Sequence, residues 1–261
     1  MARKWSKRKR PDRDKHMIME VSQRKGGIFN ERTMRFLSKF YNKGIVERVA
    51  FIISTGKEAD VYAAESGSSE AVKSDLVALK FFRGEGISFN KMREYIEGDP
   101  RFGNLRSSRT SIVEIWCRKE FGNLVLAGEA GASVPKPYMF NGNILAMEFI
   151  GDENDAPSKR MKDVVLDDPK KVLKSIIDQI KRMYRAGLVH ADLSEFNILI
   201  QGEKQKPVII DIGQGVVIRH PRAKEFLERD VHNIARYFSQ KYGIESNEKD
   251  ILDGLTRPSL S

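Results

Sequence analysis

The stretch that decides the fold is His190-Ala191-Asp192-Leu193-Ser194-Glu195-Phe196-Asn197, followed by Pro207-Val208-Ile209-Ile210-Asp211-Ile212-Gly213. Transfer of a phosphoryl group from ATP needs a carboxylate beside the attacking group and oxygen ligands that hold a divalent cation against the phosphates. Asp192 suits the first task, orienting an incoming hydroxyl or accepting its proton. Asn197 offers a neutral oxygen and Asp211, at the end of an apolar strand, an anionic one, a donor set that Mg²⁺ (or Mn²⁺) favours. Read singly, Asp192 caps a turn, Asn197 fixes a loop and Asp211 ends a strand. The ordered set, with apolar strands at 198–200 and 208–210 between its halves, points to catalysis. Gly213 is expected to let the backbone turn sharply after Asp211.

Upstream, Val77-Ala78-Leu79-Lys80 places a lysine late in a near-continuous apolar strand, 76–82. A cation there suits the α- and β-phosphates, and a lysine so placed needs an anion to hold it. Glu120, on a helix expected over 112–130, is the first candidate and Glu114 the second. Ser54-Thr55-Gly56-Lys57-Glu58-Ala59-Asp60-Val61 keeps one glycine where a protein kinase has a glycine-rich loop. Given Lys80, the backbone N–H groups around Thr55, Gly56 and Lys57, with the hydroxyls, are read as phosphate contacts. Val61 and Ala78 wall the adenine in this reading. Met147-Glu148-Phe149-Ile150 forms the hinge, where backbone groups of Glu148 and Ile150 pair with the adenine edge.

The patterning around these motifs predicts an α+β fold with two lobes, the first an antiparallel sheet and the second mostly helical. A short amphipathic helix is expected at 31–43, and strands at 45–53, from Val61 and at 76–82. Residues 83–109 are polar, basic and glycine-containing, too long for an ordinary connection, so a partly helical or mobile insertion is expected. Strands around Pro137 and at 144–150 follow, then a linker to about 160. Asp168 with Pro169 opens a helix that Gly187 closes, and a final helix is expected over 222–241. The organisation is a basic extension with short helices at 1–45, a first lobe at 46–150 with an insertion near 83–110, and a second lobe at 151–261.

At these residues the sequence resembles the RIO family of atypical protein kinases, most closely its archaeal Rio-one subgroup. The resemblance runs from about residue 45. It rests on residues 54–62, Lys80, residues 190–197 and Asp211-Ile212-Gly213-Gln214, together with His220-Pro221, Phe226-Leu227 and Arg229-Asp230-Val231. It implies a minimal bilobal protein-kinase-like fold, ATP- and Mg²⁺-dependent serine kinase or ATPase activity, and a role in maturing the small ribosomal subunit. It makes the residue at 192 the catalytic aspartate, and the residue at 211 a metal ligand that can itself accept phosphate. Ala191 replaces the usual arginine of the catalytic loop, and Ser194 replaces the lysine that contacts the transferred phosphate. Only 50 residues follow Asp211, with no Ala-Pro-Glu motif. A truncated second lobe without peptide-docking helices is therefore expected, and no winged helix in the first 45 residues.

Composition bounds the partners. Lys plus Arg is 46 against 36 Asp plus Glu, a net charge of +10, and such an excess attracts polyanions. Arg3, Lys4, Lys7, Arg8, Lys9, Arg10, Arg13 and Lys15 outnumber Asp12 and Asp14 at the start. That arm reads either as a solvated tail or as an RNA contact, and the pre-ribosomal small subunit or its RNA is the partner implied. Arg106-Ser107-Ser108-Arg109 makes Ser107 and Ser108 candidates for autophosphorylation. The single cysteine, Cys117, excludes an internal disulfide, and no apolar run is long enough to span a bilayer, so a cytoplasmic protein is expected. Two other readings compete. A small-molecule phosphotransferase of the aminoglycoside or choline kinase type shares the motif but usually needs an acidic pocket and longer helical insertions. An RNA-binding assembly factor with ATP as a structural ligand has no need of an intact Asp192, Asn197 and Asp211.

Overall fold

The computed structural model describes residues 29–83, 89–102 and 109–256. Helix α1, Glu31–Asn42, is capped by Asn30, whose side chain accepts from the Thr33 N–H at 2.9 Å. Strands β1, Val46–Thr55, β2, Ala59–Ser66, and β3, Leu76–Phe82, are antiparallel neighbours. After helices α2, Phe89–Ile96, and α3, Arg109–Glu129, come β4, Pro137–Asn141, and β5, Ile144–Glu148. The five strands form one sheet in the order β1-β2-β3-β5-β4. Every side chain of the central strand β3 is buried, Lys80 included, which explains why its sequence is apolar without alternation.

The second lobe begins with the short strand β6, Lys159–Arg160, and helix α4, Pro169–Arg185. Asp168 accepts from the Lys171 N–H at 3.0 Å, and Pro169 stands at the first helical position, where its missing N–H costs nothing. Strands β7, Leu188–Val189, β8, Ile198–Gln201, β9, Lys206–Ile209, and β10, Val216–Val217, carry the functional loops between them. β6, β8 and β9 make one small sheet, and β7 and β10 another. Helix α5, Ala223–Tyr242, ends on Gly243 in the left-handed conformation, and α6, Glu248–Thr256, follows it. This is the expected α+β architecture of a minimal bilobal kinase-like fold.

Three expectations change, and the insertion takes the helical of its two expected forms. Helix α1 belongs to the first lobe rather than to an extension before it, since Leu37 and Phe40 are fully buried in one cluster with Val49, Leu79, Phe81 and Ile144. The insertion contains a docked helix, α2, whose Tyr95 and Ile96 join the larger core with Trp116 and Phe226. The strand expected to reach Ile150 stops at Glu148 because Ile150 turns to accept from the Ser158 N–H at 2.9 Å. Helix α5 is not the last, because Leu255 of α6 buries itself in the same core. The arm at 1–15 and the serines Ser107 and Ser108 lie outside the described residues.

One glycine ties α1 to the sheet. Gly142 turns β4 into β5 with φ +58, and a Cβ there would lie 2.2 Å from the Phe36 ring. Asn141 donates to the Phe36 carbonyl at 2.9 Å, fixing the approach. Gly142→Ala adds left-handed strain to a steric clash and is expected to cost about 2–4 kcal/mol, readable as a lowered midpoint in chemical unfolding.

Candidate active site

Between the sheet and the second lobe lies a cleft of about 610 Å³. Its walls include Thr55, Gly56, Lys57, Val61 and Ala78 from the first three strands and their turn. Met147, Glu148 and Ile150 line the side next to β5, and Lys80, Glu120, Asn197 and Asp211 the inner end. The residues expected to hold nucleotide and metal are therefore neighbours around one cavity. Asp192 stands beside it, bonded to Asn197.

Lys80 is 7 % exposed, and its Nζ donates to both Glu120 oxygens at 2.8 Å and to Asp211 Oδ1 at 2.7 Å. Burial alone would lower the Lys80 pKa, but the Asp211 and Glu120 carboxylates outweigh it and hold the ammonium above its ordinary value. Burial pushes Glu120 up to about 7 against the pull of Lys80. The charge of Lys80 keeps Asp211 below the usual carboxylate range. Of the two glutamates weighed as partner, Glu120 holds Lys80, while Glu114 pairs with Arg32 at 2.7 Å on the surface.

The loop from 190 to 197 is anchored from below. His190 is buried, and its Nε2 lies 3.1 Å from the Ile210 carbonyl. Burial lowers its pKa to about 4, so the ring is neutral near pH 7 and donates there, while Nδ1 accepts from the Asp192 N–H at 3.3 Å. Ala191 takes φ +66, a conformation rarely adopted by a residue with a Cβ. Asp230 of α5 holds it there, accepting from the Ala191 and Leu193 N–H groups at 2.8 Å each. Arg229 donates to the Ala191 carbonyl and lies over the Phe226 ring. Asn197 spends its amide N–H bonds on the Asp192 carbonyl and carboxylate, at 2.9 and 3.2 Å, which leaves its oxygen for the cleft. Burial, then the nearby Asp211 charge, raise the Asp192 pKa to about 6.

Asp211 itself takes the left-handed conformation, φ 60 and ψ 52, at the head of a 3₁₀ turn, Ile212–Gln214. Gly213 does not, which corrects the expectation that it supplies the sharp turn. Its reason is space, since a Cβ there would lie 2.8 Å from Trp116 Nε1 and 3.0 Å from Glu120 Oε2. Two fully buried side chains of α3 grip this turn. Lys119 donates to the Gly213 carbonyl at 2.9 Å and to that of Gly215. Asn123 donates to the Ile212 and Gly215 carbonyls at 2.8 and 2.9 Å. In the β1–β2 turn, the Gly56 N–H is already bonded to the Ala59 carbonyl at 3.0 Å, so it is no free phosphate donor. The Glu148 N–H donates to the Lys136 carbonyl at 2.8 Å, which directs the expected hinge contact to other backbone groups.

Asp230, Arg229, Lys119 and Asn123 join the site beyond the residues expected, as do Ser158, Arg160 and Lys162, which line the cleft. The dipeptide Arg229-Asp230 was visible as a family mark, and two polar residues at 119 and 123, one helical turn apart beside Glu120, were the available signal for the other pair.

The RIO domain family model matches residues 60–251. The RIO-type serine/threonine-protein kinase Rio1 of Thermoplasma acidophilum is 41% identical over 197 residues, covering 76% of this chain and 99% of that protein. The Rio1 of Haloferax volcanii is 37% identical over 229 residues, covering 88% of this chain and 76% of its own length. Human serine/threonine-protein kinase RIO1 is 34% identical, covering 90% of this chain but 41% of the human protein. Among solved structures, the Rio2 kinase-ADP/Mg²⁺-phosphoaspartate complex from Chaetomium thermophilum superposes with a TM-score of 0.66 at 25% identity, covering 87% of this chain and 67% of that one. With a cleft whose inner end gathers Lys80, Glu120, Asn197 and Asp211, and relatives of this similarity over most of its length, the chain belongs to the RIO family of serine/threonine-protein kinases.

Proposed function

We propose that this kinase uses ATP with Mg²⁺ in the cleft and acts in maturation of the small ribosomal subunit, in the cytoplasm. The observation that carries the nucleotide reading is the meeting of Lys80, Glu120 and Asp211 within 2.8 Å, next to an Asn197 whose free amide atom is its oxygen. Asn197 and Asp211 would hold the cation, a hard oxygen pair of the kind Mg²⁺ prefers. When bound, the cation neutralises charge on the phosphate oxygens. Lys80 contacts the α- and β-phosphates. The Glu148 carbonyl and the Ile150 N–H take the adenine edge, and Val61 and Ala78 cover the ring. The Thr55 hydroxyl and the N–H of Lys57 remain as donors in the first turn.

Asp192 accepts the proton of a serine or threonine hydroxyl as the hydroxyl oxygen bonds to the γ-phosphorus and ADP leaves. Its Oδ2 receives Asn197 Nδ2 at 3.2 Å and Gln214 Nε2 at 3.3 Å, which aim the carboxylate. Arg160 and Lys162 at the mouth bring positive charge where Ser194 cannot. A second acceptor is favoured by one observation: the Asp211 side chain is 52 % exposed. The Chaetomium relative was solved with a phosphoaspartate. Attack by an Asp211 oxygen on the γ-phosphorus, release of ADP and hydrolysis by water would give ATPase turnover.

The ribosomal role rests on the family resemblance and the basic arm. A buried lone Cys117 suits a reducing compartment. An ATP assay on the purified protein, with and without small ribosomal particles, tests the whole reading by following free phosphate and labelled protein together. Label on protein, mapped to Ser107 or Ser108, identifies the kinase arm; free phosphate stimulated by particles identifies the ATPase arm. Neither product responding to ATP and Mg²⁺ overturns it. Asp192 acts as a carboxylate and its pKa is raised, so activity is present above that pKa and lost below it. The free enzyme's kcat/KM should therefore fall as pH drops through about 6, and a flat profile from pH 5 to 8 argues against the assignment.

A further inference from the structure

Asp99 and Arg101 close the described part of the insertion. Asp99 is 2 % exposed and is bound by Arg101 through Nε at 3.0 Å and a terminal nitrogen at 2.6 Å. The other terminal nitrogen of Arg101 donates to Asn123 Oδ1 at 2.8 Å. An arginine has only donors, so the Asn123 oxygen has to face it. The Asn123 nitrogen then has to face the opposite way, toward the carbonyls of Ile212 and Gly215 that it holds. The two carbonyls demand the same orientation, so Arg101 and the turn hold the amide from its two ends, and without Arg101 the buried Oδ1 loses its donor and the side chain one of its two anchors.

The segment that delivers Arg101 is firmly seated. Gly98 lies against Pro221, where a Cβ would come within 2.9 Å. His220 Nε2 lies 3.0 Å from the Glu97 carbonyl, and Glu94 pairs with Arg222. Tyr95 packs against Trp116 and Phe226, with ring centroids 6.1 and 5.2 Å away. The anchor points belong to α3 and to the start of α5, the two helices that hold the metal turn and the catalytic loop.

We infer that Arg101 is a positioning residue for phosphoryl transfer: by fixing the amide of Asn123 it fixes the turn that presents Asp211. The inference deepens the Mg²⁺-ATP reading of the cleft and rests on it. Arg101 does not line the cleft, so its loss acts through the grip on the cation rather than through ATP contacts. Residues that support a metal ligand from behind typically change metal affinity 10–100-fold when removed.

The test is an Mg²⁺ titration of kinase activity at saturating ATP, run on the full chain with thermal unfolding in parallel. Arg101→Met is expected to raise the Mg²⁺ half-saturation about tenfold and to lower kcat, with the KM for ATP little changed. Because that variant strands the buried Asp99 carboxylate, Asp99→Leu/Arg101→Met is measured beside it and should show the same Mg²⁺ shift with stability regained. Arg101→Lys, which keeps the charge but a single donor nitrogen in place of the fork, should recover part of the shift. Combining Arg101→Met with Asn123→Leu should add little to Asn123→Leu alone. A lowered unfolding temperature with an unmoved Mg²⁺ curve, or effects that simply add, overturns the inference. Asp211→Asn serves as the control: Mg²⁺-dependent transfer surviving there overturns the site reading itself, whereas an inactive control with an unmoved Arg101→Met curve overturns only the role of Arg101.

Discussion

Asp211→Ala is expected to reduce phosphoryl transfer at least about a thousandfold, in line with the several kcal/mol of charge stabilisation a bound cation supplies. The variant removes the anionic member of the proposed cation pair and one of the two carboxylates on Lys80. Lys80 keeps both bonds to Glu120, so the sheet-to-helix tie survives, and the half-exposed position tolerates a small side chain. The loss should therefore appear in turnover and not in the unfolding midpoint. Labelled-phosphate transfer together with a denaturant titration separates the two, and wild-type turnover in Asp211→Ala removes the site assignment.

Asp230→Ala should show the opposite combination, with stability and activity falling together. Asp230 is 1 % exposed and is the shared acceptor for two buried N–H groups. Leaving both unpaired is expected to cost about 2–6 kcal/mol. Burial pushes its pKa up to about 7 against the pull of those two bonds and the Arg229 charge. Asp230 accepts two of the bonds that hold the loop with Ala191 at φ +66, and Arg229 donates a third to the Ala191 carbonyl; with the two lost, the loop relaxes and Asp192 moves with it. Asp230→Asn, which preserves one acceptor oxygen, should recover part of the stability and less of the activity.

Asp192, Asn197 and Asp211 were legible in the sequence because phosphate chemistry demands oxygen donors in a fixed order, and apolar strands on either side left them no role in a core. Lys80 was legible because a charge inside an apolar strand requires a partner, and Glu120 was within reach on helix α3. The supports were harder to see. Asp230, Lys119 and Asn123 lie on helices buried on several sides, where a polar residue facing inward breaks no visible stripe. Arg101 sits in a stretch whose glycines and charges read as a loose insertion, and only the seating of Tyr95 and Gly98 reveals it as fixed. Strands β7 and β10, two residues each, are too short for any alternation to register. Gly213 was noticed for the wrong property: crowding by Trp116, not backbone freedom, excludes a side chain there.

The four bonds from Lys119 and Asn123 onto the turn after Asp211 also bear on inhibitor design. Many protein kinases carry a phenylalanine after the metal-binding aspartate whose packing differs between active and inactive states. In this chain Ile212 takes that place, fully buried, and the turn is stapled to the helix behind it. A compound that needed the turn to swing outward would have to break that staple before gaining any contact. Selective ligands should instead be sought at the opposite rim, where Ser158, Arg160 and Lys162 border the cleft.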